Sequence, residues 1–323
     1  SDTEQLAVRQ ALERIPGSDI SRHLITLLGT GEDRLQTTIM SILVTRHASE
    51  AVPELLQVAT GDSAQVRQAA MVALGEMAAP EHVAAMIPAV LKAPRGAERA
   101  AAEKAVMFVC RKEPDPDKQP LPLLEGLKPL APADRLAMLS TLGRIGGKPA
   151  LEPVEQAIAS RQSADHSAGI TALSNWPDAS VANRLIQLVK QDPHPPHRIT
   201  ALRALIRVAP LSDHRSDADR LGLLKEAMEL STQSRERNFV LERLQAIRTV
   251  ETLRYVLPYT NQASYREQAC ETIVELAHHR ALRDAHKDEF HAALDKVMMT
   301  TKDATLIERS RRYKNNQTWV RPK

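Results

Sequence analysis

The chain has 323 residues, a formal charge of +3, two cysteines and only 3% aromatic residues. No apolar run reaches the roughly 18–20 residues of a membrane-spanning helix, and the lack of Gly-rich turns and β-branched runs argues against a compact α/β enzyme. The charge is uneven: seven basic against two acidic residues give 302–323 a sum of +5 and leave −2 for 1–301, so the body lacks the excess of basic charge that nucleic-acid binders carry.

The opening stretch, SDTEQLAVRQALERI, is polar and has no apolar h-region, so it reads as a boundary or processed start and not as a signal peptide. Cytoplasmic residence and export with the signal removed both fit. Asp33–Val44 looks like a first copy of a pattern that is clearest in Ser63–Ala93. There Val66, Ala69, Ala70, Val72, Ala73, Leu74 and Met77 recur at helical spacing, and Arg67, Gln68 and Glu76 form a polar flank. Asp62-Ser63 offers N-cap side chains, Pro80 ends the first helix, and Val83, Met86, Ile87 and Val90 form the stripe of a second. Neither helix is long enough to be stable alone, so each must bury its stripe on a neighbour.

The pattern then repeats. Arg67, Arg99, Arg135, His166, Arg198, Arg237 and Arg266 align at separations of 32, 36, 31, 32, 39 and 29 residues. Three residues on stand Ala70, Ala102, Met138, Gly169, Ala201, Val240 and Ala269, and seven on stand Leu74, Val106, Leu142, Leu173, Leu205, Leu244 and Ile273. Offsets of three and seven share a helix face, so one buried stripe recurs seven times. The second helices are expected at Ser18–Leu28, Glu50–Ala59, Glu81–Leu91, Pro120–Leu130, Ala150–Ser160, Ser180–Lys190, Asp217–Leu230, Glu251–Asn261 and Asp288–Thr300, with a closing helix near Thr305–Tyr313. The loops 111–120, 192–197 and 210–217 are Pro-rich or charged, but none has the length or blandness of an interdomain linker. The expectation is one domain over 1–323, with a basic tail at about 309–323. Cys110 and Cys270 lie too far apart along such a stack to meet and read as buried small hydrophobes.

Copies such as AQVRQAAMVALGEMAAPEHVAAMIPAVL and ADRLAMLSTLGRIGGKPALEPVEQAIA resemble the HEAT-repeat family. LGRIGGKPALEPVEQAIAS and ALSNWPDASVANRLIQLV are similar to bacterial HEAT arrays of the planctomycete kind, which often accompany exported sugar-active or haem domains. The resemblance covers almost the whole chain. It implies an all-α, right-handed αα-superhelix of about nine helical pairs, with second helices lining a concave surface for partners.

Motifs for chemistry are weak. GRIGGK at 143–148 has Leu142 where a phosphate loop needs Gly and Pro149 where it needs Ser or Thr, so it reads as a helix ending in glycines. His278, His279, His286 and His291, with His194 and His197, lack the spacing and the ligand set of a metal site and read as solvated. HEAT-type enzymes such as deoxyhypusine hydroxylase hold di-iron on His-Glu pairs, and no His-Glu dipeptide occurs here; GxSxG is missing too. The expectation is therefore a non-catalytic protein without cofactor or metal, monomeric, binding a protein or peptide. The alternative is a nucleic-acid-binding protein of the HEAT-like DNA glycosylase type. Glu54, Ala85, Arg184 and Tyr255 align on the second helices and form no basic ladder.

The candidate partner-binding residues are Glu54, Arg184, Arg254, Tyr255 and Tyr259. Arg254, Tyr255 and Tyr259 have the composition of an interface hot spot, against the reading that Tyr259 packs under the next repeat. Tyr313 and Trp319 give the tail two readings also: contact with acidic partners, or a cap on the last repeat, the latter favoured.

Overall fold

The computed structural model describes residues 2–320, which form α-helices and short 3-10 turns with no strand among them. The helices gather into two compact units that meet in sequence at Pro177 and Asp178. Up to Pro177 the helices are α1 (Asp2–Arg14), α2 (Ser18–Thr26), α3 (Asp33–Thr45), α4 (Val52–Val58), α5 (Ala64–Met77), α6 (Val83–Lys92), α7 (Ala97–Cys110), α8 (Leu121–Leu127), α9 (Pro132–Ile145), α10 (Leu151–Ile158) and α11 (Ser163–Ser174). From Asp178 they are α12 (Ala182–Gln191), α13 (Pro195–Val208), α14 (Asp217–Leu230), α15 (Ser234–Arg243), α16 (Val250–Val256), α17 (Arg266–His278), α18 (Arg280–Ala285), α19 (Lys287–Thr300) and α20 (Ala304–Lys314).

In the first unit the odd-numbered helices pack in series, α1 on α3 and onward to α9 on α11, while α4, α6 and α8 form the facing layer. The second unit repeats the plan, with α13, α15, α17 and α20 in one layer and α12, α14, α16 and α19 in the other. This is an all-α helical repeat architecture. The expected second helices are present, shifted by up to three residues at their ends.

Several of them begin with a single 3-10 turn, at Ser49–Ala51, Pro80–His82, Lys148–Ala150 and Ala179–Val181. Periodicity does not reveal one turn, and the prolines at 80 and 149 stand where a missing N–H costs nothing. The short α18, RALRDA, was not expected either, because it carries no apolar stripe.

Both stripe columns are buried in all seven copies, from Ala70 and Leu74 to Ala269 and Ile273. Small side chains let the helices approach closely. A Cβ placed on Gly143 of α9 would lie 2.1 Å from the Ala172 carbonyl oxygen of α11, so only glycine fits. Gly146 and Gly147 follow with φ of +79° and +83°, a region L side chains rarely adopt, as the reading of GRIGGK as a helix end requires. Ser63 caps α5 by accepting from the Val66 N–H at 3.3 Å. Val72, placed in the apolar stripe by its spacing, instead stands 54% exposed.

Arg67 departs from its expected polar flank and is only 8% exposed. Its Nη1 donates to the carbonyls of Asp62 (2.6 Å) and Gly61 (3.1 Å), just past the end of α4, and its Nε donates to Glu98 (2.8 Å). The same register does the same work elsewhere. Arg99 donates to Leu91 and Ala93, Arg237 to Ser231, and Arg266 to Thr260, while the His166 Nδ1 lies 2.6 Å from the Ile158 carbonyl. The last carbonyls of a helix have no partner within it, and a cation there also meets the negative end of its dipole. At five of the seven positions the recurring basic residue is thus a cap that a first helix supplies to the second helix before it. Arg135 and Arg198 are exposed and, among the described bonds, make none of this kind. In keeping with these caps, α4 packs more extensively on α5 than α6 does, and α10 more on α11 than on α9.

A second series caps first helices. Arg46, after α3, donates to the carbonyls of Leu12, Ile15 and Gly17 around the end of α1, and Lys112, after α7, to those of Glu76 and Ala78 at the end of α5. Desolvation holds the Lys112 ammonium below its ordinary value.

Candidate functional site

Arg254, Tyr255 and Tyr259 come together on α16 and the 3-10 turn Leu257–Asn261 that continues it. Thr249 starts the helix by accepting from the Thr252 N–H at 3.2 Å. Leu253 and Val256 are buried, which leaves Arg254 exposed and Tyr255 half-buried on the flank. Arg254 forms a two-pronged ion pair with Glu289 of α19, at 2.7 and 2.8 Å. These bonds raise the guanidinium above its ordinary value and hold the Glu289 carboxyl below the usual range. The planar fork is therefore held in one orientation, with its outer face open to solvent.

The tyrosines form a chain of edge contacts. Tyr255 and Tyr259 have ring centroids 5.7 Å apart, and Tyr259 donates to the Tyr255 oxygen at 3.3 Å. Tyr265 extends the chain at 6.1 Å from Tyr259. Lys225 of α14 sits 5.1 Å from the Tyr255 ring centroid, and Arg237 of α15 lies 5.9 Å from that of Tyr265. Burial, and then the Tyr259 hydrogen bond, push the Tyr255 phenol well above its ordinary value. A hydrogen bond with Ser234, and then the Arg237 guanidinium, hold the Tyr265 phenol below it. Both readings of Tyr259 have support: it packs against Tyr265 at the entrance of the next repeat, and it remains half-buried beside an exposed arginine.

The other two expected site residues stand elsewhere. Arg184 is half-buried on α12 and engaged by neighbouring groups. Glu54 is half-buried on α4, in the unit that ends at Pro177. Tyr265, Lys225 and Arg237 belong to the cluster but were not singled out from the sequence. A signal was present, since three of the four tyrosines fall within 255–265.

The described part of the tail folds back. Arg309 of α20 pairs with Glu275 of α17 at 2.6 Å and lies 4.9 Å from the Trp319 ring centroid, while Lys314 pairs with Asp295. Tyr313 is buried, and its hydroxyl meets the Nδ1 of His278 at 2.9 Å. Trp319 and Arg309 line a cavity of about 770 Å³ with Glu275, Asp303 and His278. Two of the tail's cations, Arg309 and Lys314, thus pair with carboxylates of earlier helices, while Arg311 and Arg312 pair with Glu308 of α20 itself; Arg321 and Lys323 lie outside the described residues. His278 is exposed, as a solvated histidine is, but it is also tied to Tyr313; His197 departs further, being partly buried with its Nδ1 3.4 Å from the buried Asp192.

No family model and no curated protein matches the chain. Among solved structures, an engineered protein aligns over 91% of this chain and 94% of its own at 15% identity, with a TM-score of 0.21. No helix among the described residues is long and apolar enough to cross a membrane.

Proposed function

We propose that the chain is a HEAT-type array with a right-handed superhelical sense, and that it is a non-catalytic binding or scaffold module. Its second-helix layer receives a protein or peptide partner, and Arg254, Tyr255 and Tyr259 form the anchor. The observation that supports this reading is the tyrosine chain with its flanking cations. Aromatic residues and arginine dominate interface hot spots, because they bury large rigid areas at low entropic cost. Arg254 is already oriented by Glu289, so a partner's carboxylate or carbonyl would meet a preorganised donor. A place beside an exported sugar-active or redox protein of a bacterium follows from the sequence resemblance alone.

Duplex DNA is the competing ligand. The body carries no net excess of cations to set against phosphates, and Arg254, Arg309 and Lys314 are paired with carboxylates. The test is selection from a displayed peptide library, followed by titration of the enriched peptides. The double variant Tyr255→Ala/Tyr259→Ala should weaken them by about 30-fold or more, as hot-spot truncations do. Enriched peptides that bind the double variant equally well would overturn the assignment. So would submicromolar DNA binding at physiological salt that depends on Arg184 and Arg254.

A further inference from the structure

A second cavity opens on the other layer of the unit that begins at Asp178, across three consecutive first helices. It measures about 360 Å³, near the lower end of the range for small-ligand sites. Arg203 of α13 forms one side, Gln268 of α17 another, and α15 contributes Arg235, Glu236, Asn238, Phe239 and Glu242.

Glu236 is the unusual member. Its side chain is 2% exposed, and its Oε1 receives both bonds from Arg203, from Nη2 at 2.6 Å and from Nε at 3.0 Å. Its Oε2 is equally buried and has no donor. Asn238 repeats the situation: its Nδ2 donates to the Ser264 carbonyl at 3.2 Å, which fixes the amide, and its buried Oδ1 has no donor. A buried acceptor without a partner costs about 1–3 kcal/mol, so two on one cavity call for hydrogen-bond donors from outside the chain.

Charge narrows the donor. Arg203 and Arg235 against Glu236 and Glu242 make the lining formally neutral, and a bare cation would meet two guanidinium groups. A zwitterion satisfies both signs. We propose that the cavity binds a small zwitterion of the free α-amino acid class. Its ammonium donates to the Glu236 Oε2 and the Asn238 Oδ1. Its carboxylate is received by Arg235, which is exposed at the rim, and by the Arg203 N–H groups that Glu236 does not use. An apolar side chain would rest on the half-buried Phe239.

This site is separate from the tyrosine anchor, so each proposal stands or fails alone. The probe is L-leucine, titrated calorimetrically and followed through the backbone amide resonances of α15. Glycine betaine, which has the same charges and no N–H, and 4-methylpentanoate, which lacks the ammonium, serve as controls. Leucine should saturate in the roughly millimolar range or below, with both controls at least about tenfold weaker. Glu236→Gln should weaken leucine by about tenfold or more, and it also perturbs the pair with Arg203. Arg235→Ala removes an exposed side chain, should leave the thermal midpoint unchanged, and should still weaken leucine several-fold. Absence of saturable binding, equal binding of betaine, or leucine affinity indifferent to both variants would each overturn the proposal.

Discussion

Replacing Gly143 by alanine sets two effects of opposite sign against each other. In the interior of a helix, alanine is worth about 1 kcal/mol over glycine. At Gly143, however, the added Cβ would lie 2.1, 2.6 and 2.8 Å from the oxygen, carbon and Cα of Ala172. These are backbone atoms, so no rotamer change relieves the contact, and α9 must move away from α11 by about 1 Å to restore ordinary separation. That movement loosens the contacts of Leu139, Leu142 and Leu173, which are buried in the same layer. Overpacking of this kind costs about 1–3 kcal/mol or more, and it outweighs the propensity gain. Gly222 of α14 is the internal control, because a Cβ there meets nothing within 4 Å. Gly222→Ala should stabilise by about 0.5–1 kcal/mol. Repeat arrays need not unfold in one step, so urea unfolding should be paired with hydrogen exchange resolved by helix. The expected result is faster exchange in α9 and α11 for Gly143→Ala, with α13 to α17 unchanged, and slower exchange in α14 for Gly222→Ala. If Gly143→Ala matches or exceeds the wild type in stability, the close approach of these two helices is wrong.

Two further expectations concern the caps and the thiols. Arg67→Ala should destabilise by about 2–3 kcal/mol, since it removes charged hydrogen bonds to two carbonyls and leaves Glu98 without its partner; Arg135→Ala, at the same register but exposed, should stay within about 0.5 kcal/mol in the same urea titration. Burial pushes Cys110 up to about 12 and Cys270 up to about 11, so both remain neutral thiols at physiological pH. Both should therefore resist Ellman's reagent in the native protein and react together with unfolding, and rapid labelling without denaturant would refute their burial.

The repeat was legible because its two stripe columns obey a spacing that only packed helices need. Leu74 and Leu205 are 131 positions apart and occupy the same kind of buried place. The role of the Arg67 column was half legible: its recurrence was visible, but a column of arginines on a polar flank does not reveal carbonyls six residues upstream. The partnership of Arg203 with Glu236 was hidden for a related reason. The two stand one period apart, and only the packing of α13 on α15 makes that interval a contact. At the candidate site, Arg254 and Tyr255 announced themselves by composition. Lys225 and Arg237 did not, because cations are common and their positions over tyrosine rings arise from three different helices.

The arginine caps also say which second helix belongs with which first helix. Each guanidinium sews a second helix to the first helix that follows it, so the cohesive block is offset by half a period from the repeat read off the sequence. A cut between Arg67 and the end of α4 would sever the cap together with apolar packing, whereas a cut between α5 and α6 would leave that cap whole but part α5 from α7, breaking the Lys112 bonds and the Arg67–Glu98 pair. In sequence, the division at Pro177 and Asp178 falls at the same point of the period, between first helix α11 and second helix α12. Fragments that begin on a second helix and end on a first helix are accordingly the ones that keep each arginine cap whole when this array is shortened, lengthened or permuted.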